Sequence, residues 1–331
     1  MDKNYQALVV RKGEKRTFTY GVETCSVDDL PEGDVLIRVH YSTINFKDCM
    51  SCQGHPAITR RFPHTPGIDA AGVVETSTSK LFSEGDRVIV ISYAMGMSVP
   101  GGFGQYIRVP EAWVMKLDDD MTLEEAMAFG TAGYTAALSV EALEEQHISL
   151  KDAKAVVTGA TGGLGSVAVA LLSAQGCEVT AVTGKPDSEP FLKRIGAAEV
   201  VDRSTLEDAS GQNMLVPKWD AAIDIAGGSI LSTIIKMIND KGVVALTGMV
   251  HGTAFEATVL PFILRGIRLV GINAEVTDMT HRRAMWKKLA TSWKPENFSE
   301  MYTVVGLADL PGAVETVTQG RQVGRIVVDM R

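Results

Sequence analysis

From Val156 onward, short apolar runs alternate with stretches of helical periodicity. Val156-Val157, Glu178 to Val182, Glu199 to Asp202, Ala221 to Ile225, Gly242 to Leu246 and Ile267 to Ile272 each read as a short buried strand, and helical patterns such as Ser166 to Ala174 separate most of them. Alternation at this spacing predicts a doubly wound parallel sheet with helices on both faces. The first 125 or so residues have another texture. Runs such as Val35 to His40, Ala71 to Glu75 and Arg87 to Ile91 are punctuated by Pro31-Glu32-Gly33-Asp34, Pro63 to Gly67 and Pro100 to Gly104, which is the pattern of a compact, strand-rich domain. Leu123 to Leu143 reads as helix interrupted at Gly130-Thr131-Ala132-Gly133, and Gly324 to Asp329 as a terminal strand returning to the first domain. The expected division is 1–125, strand-rich; 126–295, doubly wound; and 296–331, the C-terminal return.

The first run of the doubly wound region enters Thr158-Gly159-Ala160-Thr161-Gly162-Gly163-Leu164-Gly165 and then opens into helix. A dinucleotide pyrophosphate needs unencumbered backbone N–H groups at a helix N-terminus, so glycines must replace side chains where the backbone approaches the phosphates. Thr161, Gly162, Gly163, Leu164 and Gly165 are the candidate contacts. A tight loop without a ligand also uses glycine, but strand, turn and helix in this order favour a Rossmann-type cofactor domain. About 20 residues further on, an NAD-specific site usually carries an acid for the ribose 2′-hydroxyl. Here the second strand ends in Thr183-Gly184-Lys185 instead, and Arg203 follows the third. Either cation alone reads as a solvated surface charge; together, where a 2′-phosphate would lie, they favour NADPH.

The chain's 331 residues and 45% hydrophobic content allow two cores, and a net charge of −8 argues against a nucleic-acid partner. The start Met1-Asp2-Lys3-Asn4 is polar, and no apolar stretch reaches the roughly 18 residues of a membrane span, so a soluble, cytoplasmic protein with no membrane partner is expected. Cys25, Cys49, Cys52 and Cys177 are too scattered for a disulfide framework. Cys49-Met50-Ser51-Cys52 has Cys-x-x-Cys spacing but neither a second pair nor a thioredoxin-like context; it reads as coincidental buried thiols, with a minor oxidation-sensing role left open. The six histidines lack metal-ligand spacing.

Several segments carry a family resemblance over essentially the whole chain. Pro31 to Val39, Asn45-Phe46-Lys47-Asp48, Pro66 to Gly72, Gly85-Asp86-Arg87-Val88, Gly101 to Tyr106 and Gly130 to Ala136 fall in the order seen in medium-chain dehydrogenases/reductases. Asn45 to Asp48 together with Pro261-Phe262-Ile263-Leu264-Arg265-Gly266 resembles the YhdH/YhfP branch, described as acrylyl-coenzyme A reductases or quinone oxidoreductases. The resemblance implies a GroES-like catalytic domain beside the Rossmann-type domain. It also implies Asn45, Phe46, Asp48 and Thr131 as catalytic-site residues, Asn45 near the nicotinamide ribose, and Phe46, Met249 and Ile263 as further cofactor contacts.

The zinc alcohol dehydrogenases of the family have Cys where this chain has Asn45 and Gly-His-Glu where it has Gly67-Ile68-Asp69, and no counterpart of the third ligand is evident in Ala128 to Gly133. Catalytic zinc needs three protein ligands, so no metal is expected and alcohol oxidation is disfavoured. What remains natural is hydride delivery from NADPH to an already activated acceptor: an enoyl-CoA such as acrylyl-CoA, a related activated alkene, or a quinone. A non-catalytic NADPH sensor is the alternative of another class. Phe46 stands where the branch often has Tyr, so it can stack but not donate a proton, leaving solvent, Tyr93 or Tyr134. Lys47 and Asp48 are a candidate ion pair. Arg60, Arg61, Arg265, Arg268, Arg282, Arg283, Lys287 and Lys288 are possible coenzyme A contacts, although His281 to Lys288 reads most simply as a solvated helix face. The apolar last strand, Ile267 to Ile272, would be an exposed sheet edge, and by resemblance a homodimer is expected there.

Overall fold

A computed structural model describes residues 3–331; Met1 and Asp2 of the polar start lie outside them. The chain divides into two compact units: one runs to Thr131 and resumes with Tyr302–Arg331, and the other is Ala132–Met301.

In the first unit β1 (Asn4–Lys12) and β2 (Phe18–Ser26) form an antiparallel hairpin. β3 (Val35–Thr43) is followed by the short helix α1 (Phe46–Cys52), then by β4 (Asp69–Ser77), β5 (Arg87–Ile91), β6 (Tyr106–Val109) and β7 (Met115–Lys116). β4 and β6 flank β3, and β5 continues outward from β4 to β7. The core packs Val35, Ile37 and Val39 of β3 with Val88 and Val90 of β5 and Ile107 and Val109 of β6, the alternate positions that strand geometry turns to one face. Helix α2 (Leu123–Glu145) is interrupted where the glycine pair announced it: Gly130 has φ 52°, ψ −159°.

The second unit contains β8 (Lys154–Val157), α3 (Gly163–Ala174), β9 (Glu178–Thr183), α4 (Glu189–Arg194), β10 (Ala197–Asp202), β11 (Trp219–Asp224), α5 (Gly228–Met237), β12 (Ile238–Leu246), α6 (Leu260–Arg265), β13 (Arg268–Gly271) and α7 (Met279–Ala290). Its six strands run β10-β9-β8-β11-β12-β13, every neighbouring pair parallel. The sequence of crossovers steps outward from β8 in one direction and then, from β11, in the other. Right-handed connections therefore put α3 and α4 on one face and α5 and α6 on the other, the doubly wound sheet expected from the alternation. The strand order reverses between β8 and β11, and this is the switch point where such sheets bind ligands.

After the second unit the chain supplies β14 (Tyr302–Gly306), α8 (Leu310–Thr318) and β15 (Arg325–Asp329) to the first. β15 pairs antiparallel with β3, Val327 opposite Thr43, and parallel with β14. This pairing brings Arg325, near the end of the chain, to the residues that follow β3.

Candidate functional site

In the second unit the glycine turn sits at the switch point. Gly159 takes φ +58°, a left-handed conformation that side chains resist. A Cβ on Gly165 would lie 2.2 Å from Gly159 O and 2.7 Å from Ala160 Cα, so glycine there lets α3 pack directly on the turn. Gly162 is the N-cap of α3 and contributes no side-chain cap; its own Cβ would meet only Gly159 O, at 3.3 Å. The first turn of α3 therefore presents backbone N–H groups that an anion can accept from. Thr158 steadies this loop: its hydroxyl donates to Asp224 Oδ1 at 2.8 Å and accepts from Ile225 N and Ala226 N, while Asp224 Oδ2 accepts from Gly227 N. Asp224 is buried, which raises its pKa against the hydrogen bonds that lower it. Sequence reading missed Thr158 and Asp224; an acid ending an apolar strand was the available signal.

At the end of β9, Thr183 Oγ1 lies 3.2 Å from Thr161 Oγ1 and accepts from Lys185 N, tying the second strand to the glycine turn. Arg203 packs over Gly184, where a Cβ would come within 2.8 Å of its Nε. Thr161, Thr183, Gly184 and Arg203 are thus gathered at one place, with Lys185 beside them; partial burial lowers the Lys185 pKa. Met249 is exposed in the loop after β12, its Cα 3.4 Å from where a Gly227 Cβ would stand. Ile263 is exposed on α6, whose Arg265 donates to the carbonyls of Ile238 at the start of β12, Lys236 near the end of α5 and Leu215 ahead of β11. That is the end of the sheet opposite the glycine turn.

In the first unit, Asn45, Asp48 and Thr131 converge, but around two residues that sequence reading quoted without assigning them a role: Asp69 at the start of β4 and Arg325 at the start of β15. Asn45 Nδ2 donates to Asp69 Oδ2 at 2.8 Å, and Arg325 Nη1 donates to Asn45 Oδ1 and Ile44 O, both at 3.2 Å. Thr131 donates its N–H to Asp69 Oδ2 at 2.8 Å and its hydroxyl to Asp69 Oδ1 at 2.5 Å, and lies 3.0 Å from Ser92 Oγ. Arg325 Nε donates to Ala128 O; Nη2 lies 3.9 Å from Asp69 Oδ2, buried and without a hydrogen bond. Gly130 makes this approach possible, since a Cβ there would stand 2.6 Å from Asp69 Oδ2 and 2.7 Å from Arg325 Nη2. Burial pushes the Asp69 pKa up, opposed by the Arg325 charge and the Thr131 and Asn45 hydrogen bonds; burial also pulls Arg325 down.

Asp48, at the third position of α1, turns inward to backbone N–H groups rather than to Lys47: Oδ2 accepts from Asn45 N at 2.8 Å, Oδ1 from Gly67 N at 3.1 Å and Ile68 N at 2.9 Å. Burial raises its pKa to about 7, against the pull of those N–H groups. It joins the start of α1 to the entry of β4. Fully buried and bonded to three backbone groups, the residue expected in the catalytic set holds these two segments together and is not itself exposed. Phe46, at the first position of α1, is the exposed member at 47%.

Two further expectations change, and the alternative left open for Cys49 and Cys52 closes. Arg282 does not lie on the solvated face of α7: it is buried, with Nη2 donating to Ala274 O and its guanidinium 5.1 Å from the centre of the Tyr134 ring. Lys288 and His281 both meet Glu141, and Arg265 is committed to its three carbonyls, so Arg60, Arg61 and Arg283 are the exposed arginines left from the candidate coenzyme A contacts. Cys49 and Cys52 are both buried, Cys49 close to Val314 O, and burial pushes the Cys49 thiol up to about 12 and Cys52 higher still. Unreactive core thiols leave the oxidation-sensing role without support. Tyr134 is buried and Tyr93 is stacked on Trp113.

Residues 31–119 match the alcohol dehydrogenase GroES-like domain and residues 163–291 the zinc-binding dehydrogenase family. YhfP of Bacillus subtilis, named as a quinone oxidoreductase, is 39% identical over the whole of both chains; its structure with NAD bound superposes with a TM-score of 0.94 over 99% of each. Acrylyl-CoA reductase AcuI of Ruegeria pomeroyi is 36% identical over 98% of this chain and 99% of its own. The yhdH oxidoreductase of Salmonella enterica in complex with NADP is 35% identical, with a TM-score of 0.94 over 98% of this chain and 100% of that one.

One family name implies zinc, and the residues do not fit it. Catalytic zinc is held by three side chains with free lone pairs. Ile68 has none, Asn45 has its oxygen turned to Arg325, and Asp69 accepts three hydrogen bonds beside a guanidinium. Among the described residues no three His, Cys, Asp or Glu cluster as a metal site, and no helix is long and apolar enough to cross a membrane. Full-length likeness at these identities, on a sheet of this order with this glycine turn, places the chain in the medium-chain dehydrogenase/reductase family, in its YhdH/YhfP/AcuI branch.

Proposed function

We propose that this protein uses NADPH to reduce the C=C bond of an activated alkene, most naturally a short enoyl-CoA such as acrylyl-CoA, without zinc. The observation that carries the reading is the Asn45 amide, bonded to Asp69 and Arg325 where zinc relatives keep a metal ligand. Without a ligand set for a Lewis acid, the acceptor must arrive already activated.

The glycine turn has the form a pyrophosphate needs, with N–H groups at the start of α3 and no Cβ in the way. Lys185 after β9 and Arg203 after β10, where Arg203 packs over Gly184, suit a 2′-phosphate and favour NADPH over NADH. When bound, NADPH supplies the hydride. Addition of that hydride at Cβ moves charge onto the thioester oxygen, and the Nδ2–H of Asn45 not given to Asp69 is a donor of the right polarity for it. Thr131 gives its hydroxyl to Asp69 and so orients rather than donates. Phe46 provides an apolar surface at the start of α1 but no proton, and Tyr134 is buried, which leaves solvent and the half-buried Tyr93 as proton sources for Cα. NADPH, a proton and the enoyl thioester then give NADP⁺ and the saturated thioester.

Likeness to AcuI supports this acceptor, while the name of YhfP favours a second reading, reduction of quinones from the same cofactor site. A homodimer is part of the proposal. β13 ends its sheet, and Val259, Ile263 and Leu264 are exposed beside it, a face that a second copy would cover. Light scattering on the eluting protein is expected to give twice the chain mass; a monomer at micromolar concentration removes the dimer. Acrylyl-CoA treated with NADPH deuterated at C4 is expected to yield propionyl-CoA with deuterium at Cβ, and product lacking it there would remove the mechanism.

A further inference from the structure

We infer that Asp69 and Arg325 are positioning residues that fix the polarity of Asn45, so that the site offers its reactant an N–H donor and never a carbonyl acceptor. The inference deepens the proposed function and rests on it.

An asparagine amide can be turned over at almost no steric cost, exchanging a two-hydrogen donor for an acceptor. Here both ends are specified. Arginine has donors only, so the atom facing Arg325 Nη1 at 3.2 Å must be oxygen. Asp69 faces the other end at 2.8 Å while also receiving Thr131 N–H and hydroxyl, which is the environment of an ionised acceptor. The two partners come from different strands, β4 and β15, and neither can be exchanged for the other by a local rearrangement. Both are buried, Asp69 at 0% and Arg325 at 3% exposure, so water does not compete for the amide. Asn45 is itself 9% exposed, and its backbone is pinned by Asp48 through the N–H of Asn45, so rotation of the whole residue is blocked as well. One hydrogen on Nδ2 remains for an outside group.

A carboxylate at position 45 would reverse that outward polarity while still suiting Arg325. Asn45→Asp alone sets two carboxylates against each other at the former amide contact and is expected to be unstable. Asn45→Asp with Asp69→Asn exchanges the two groups, keeps the net charge and restores an amide–carboxylate pair at the cost of the Thr131 N–H contact, which shares Asp69 Oδ2 with Asn45, and the atom facing outward is now an acceptor.

The exchanged protein is expected to unfold at a higher temperature than Asn45→Asp and to bind NADPH, while kcat stays about 100-fold below wild type with KM within about threefold. Recovery of kcat along with stability would overturn the inference, since a merely structural pair works either way round. Arg325→Lys, which keeps a donor-only group beside Asn45, is expected to retain kcat within about tenfold; Arg325→Met, which removes the donor at the oxygen end and leaves Asp69 alone to orient the amide, to lose at least that much, and full activity of Arg325→Met would also overturn the role of Arg325. Wild type is run with acrylyl-CoA and with a quinone: turnover of neither would sink the functional reading before any variant is compared.

Discussion

Alanine at Gly165 and alanine at Gly162 separate what the glycine turn does for the fold from what it does for the cofactor. At Gly165 the added Cβ would stand 2.2 Å from Gly159 O, 2.7 Å from Gly159 C and 2.7 Å from Ala160 Cα. All three are backbone, so relief requires α3 and the turn to part by about an ångström rather than a side chain to swing away. Overpacking of this kind costs roughly 1–3 kcal/mol, which lowers Tm by roughly 2–12 °C for a unit of this size. The displaced helix also loses its aim, and NADPH affinity falls with it. At Gly162 the backbone, φ −80° and ψ 174°, accepts alanine, and its Cβ would meet one atom at 3.3 Å. Gly162→Ala is therefore expected to keep its Tm within about 2 °C of wild type without ligand, since it touches none of the usual sources of large destabilisation. Its methyl intrudes where the pyrophosphate must approach, and NADPH affinity should drop at least about tenfold, or 1.4 kcal/mol. Thermal unfolding without ligand and titration of NADPH fluorescence give the two quantities on the same samples. Gly162→Ala binding NADPH within about threefold of wild type would refute the assignment of this turn to the phosphates.

Lys185→Ala with Arg203→Ala is expected to weaken NADPH by roughly 3 kcal/mol or more and NADH by less than threefold, because only the 2′-phosphate distinguishes them; equal losses for both cofactors would remove these residues as the discriminating pair. For Asp48 the folded pKa of about 7 lies above the unfolded value near 3.9, so between those values the native state holds a proton that the unfolded chain has released. Stability from this group falls as pH rises through that window and levels off above it. Urea unfolding of wild type and Asp48→Asn from pH 4 to 8 should show wild type losing ground to the variant by at most about 4 kcal/mol, and a flat difference would contradict the shift. A thiol reagent at pH 8 should modify Cys25 in the native protein while Cys49, Cys52 and Cys177 stay protected until unfolding; rapid labelling of Cys49 would contradict their burial.

The doubly wound sheet was legible because its strands are buried on both faces and read as apolar runs, and because glycine is required at Gly159 and Gly165 for reasons local to the turn. The gathering of Thr183, Gly184 and Arg203 was legible from the strand-end rule. The buried network was not. Asp69 and Arg325 lie 256 positions apart, and each looks like an isolated polar residue in an apolar strand. The usable signal was that a charge inside such a strand needs a partner. Asp48 was misread because its neighbour Lys47 suggested an ion pair, whereas the first turn of a helix offers an acid its own backbone. Arg282 was misread because a cation on a polar-looking helix was assigned to solvent when Tyr134 gave it an aromatic face inside.

The central claim, reduction of an activated alkene by NADPH without a metal, is tested most directly by following NADPH oxidation with acrylyl-CoA and with 1,4-benzoquinone in parallel, each with and without a chelator and with NADH in place of NADPH. The account predicts fast turnover of acrylyl-CoA, insensitivity to the chelator and a preference for NADPH. Turnover of the quinone alone, or loss of acrylyl-CoA turnover on chelation, would contradict it.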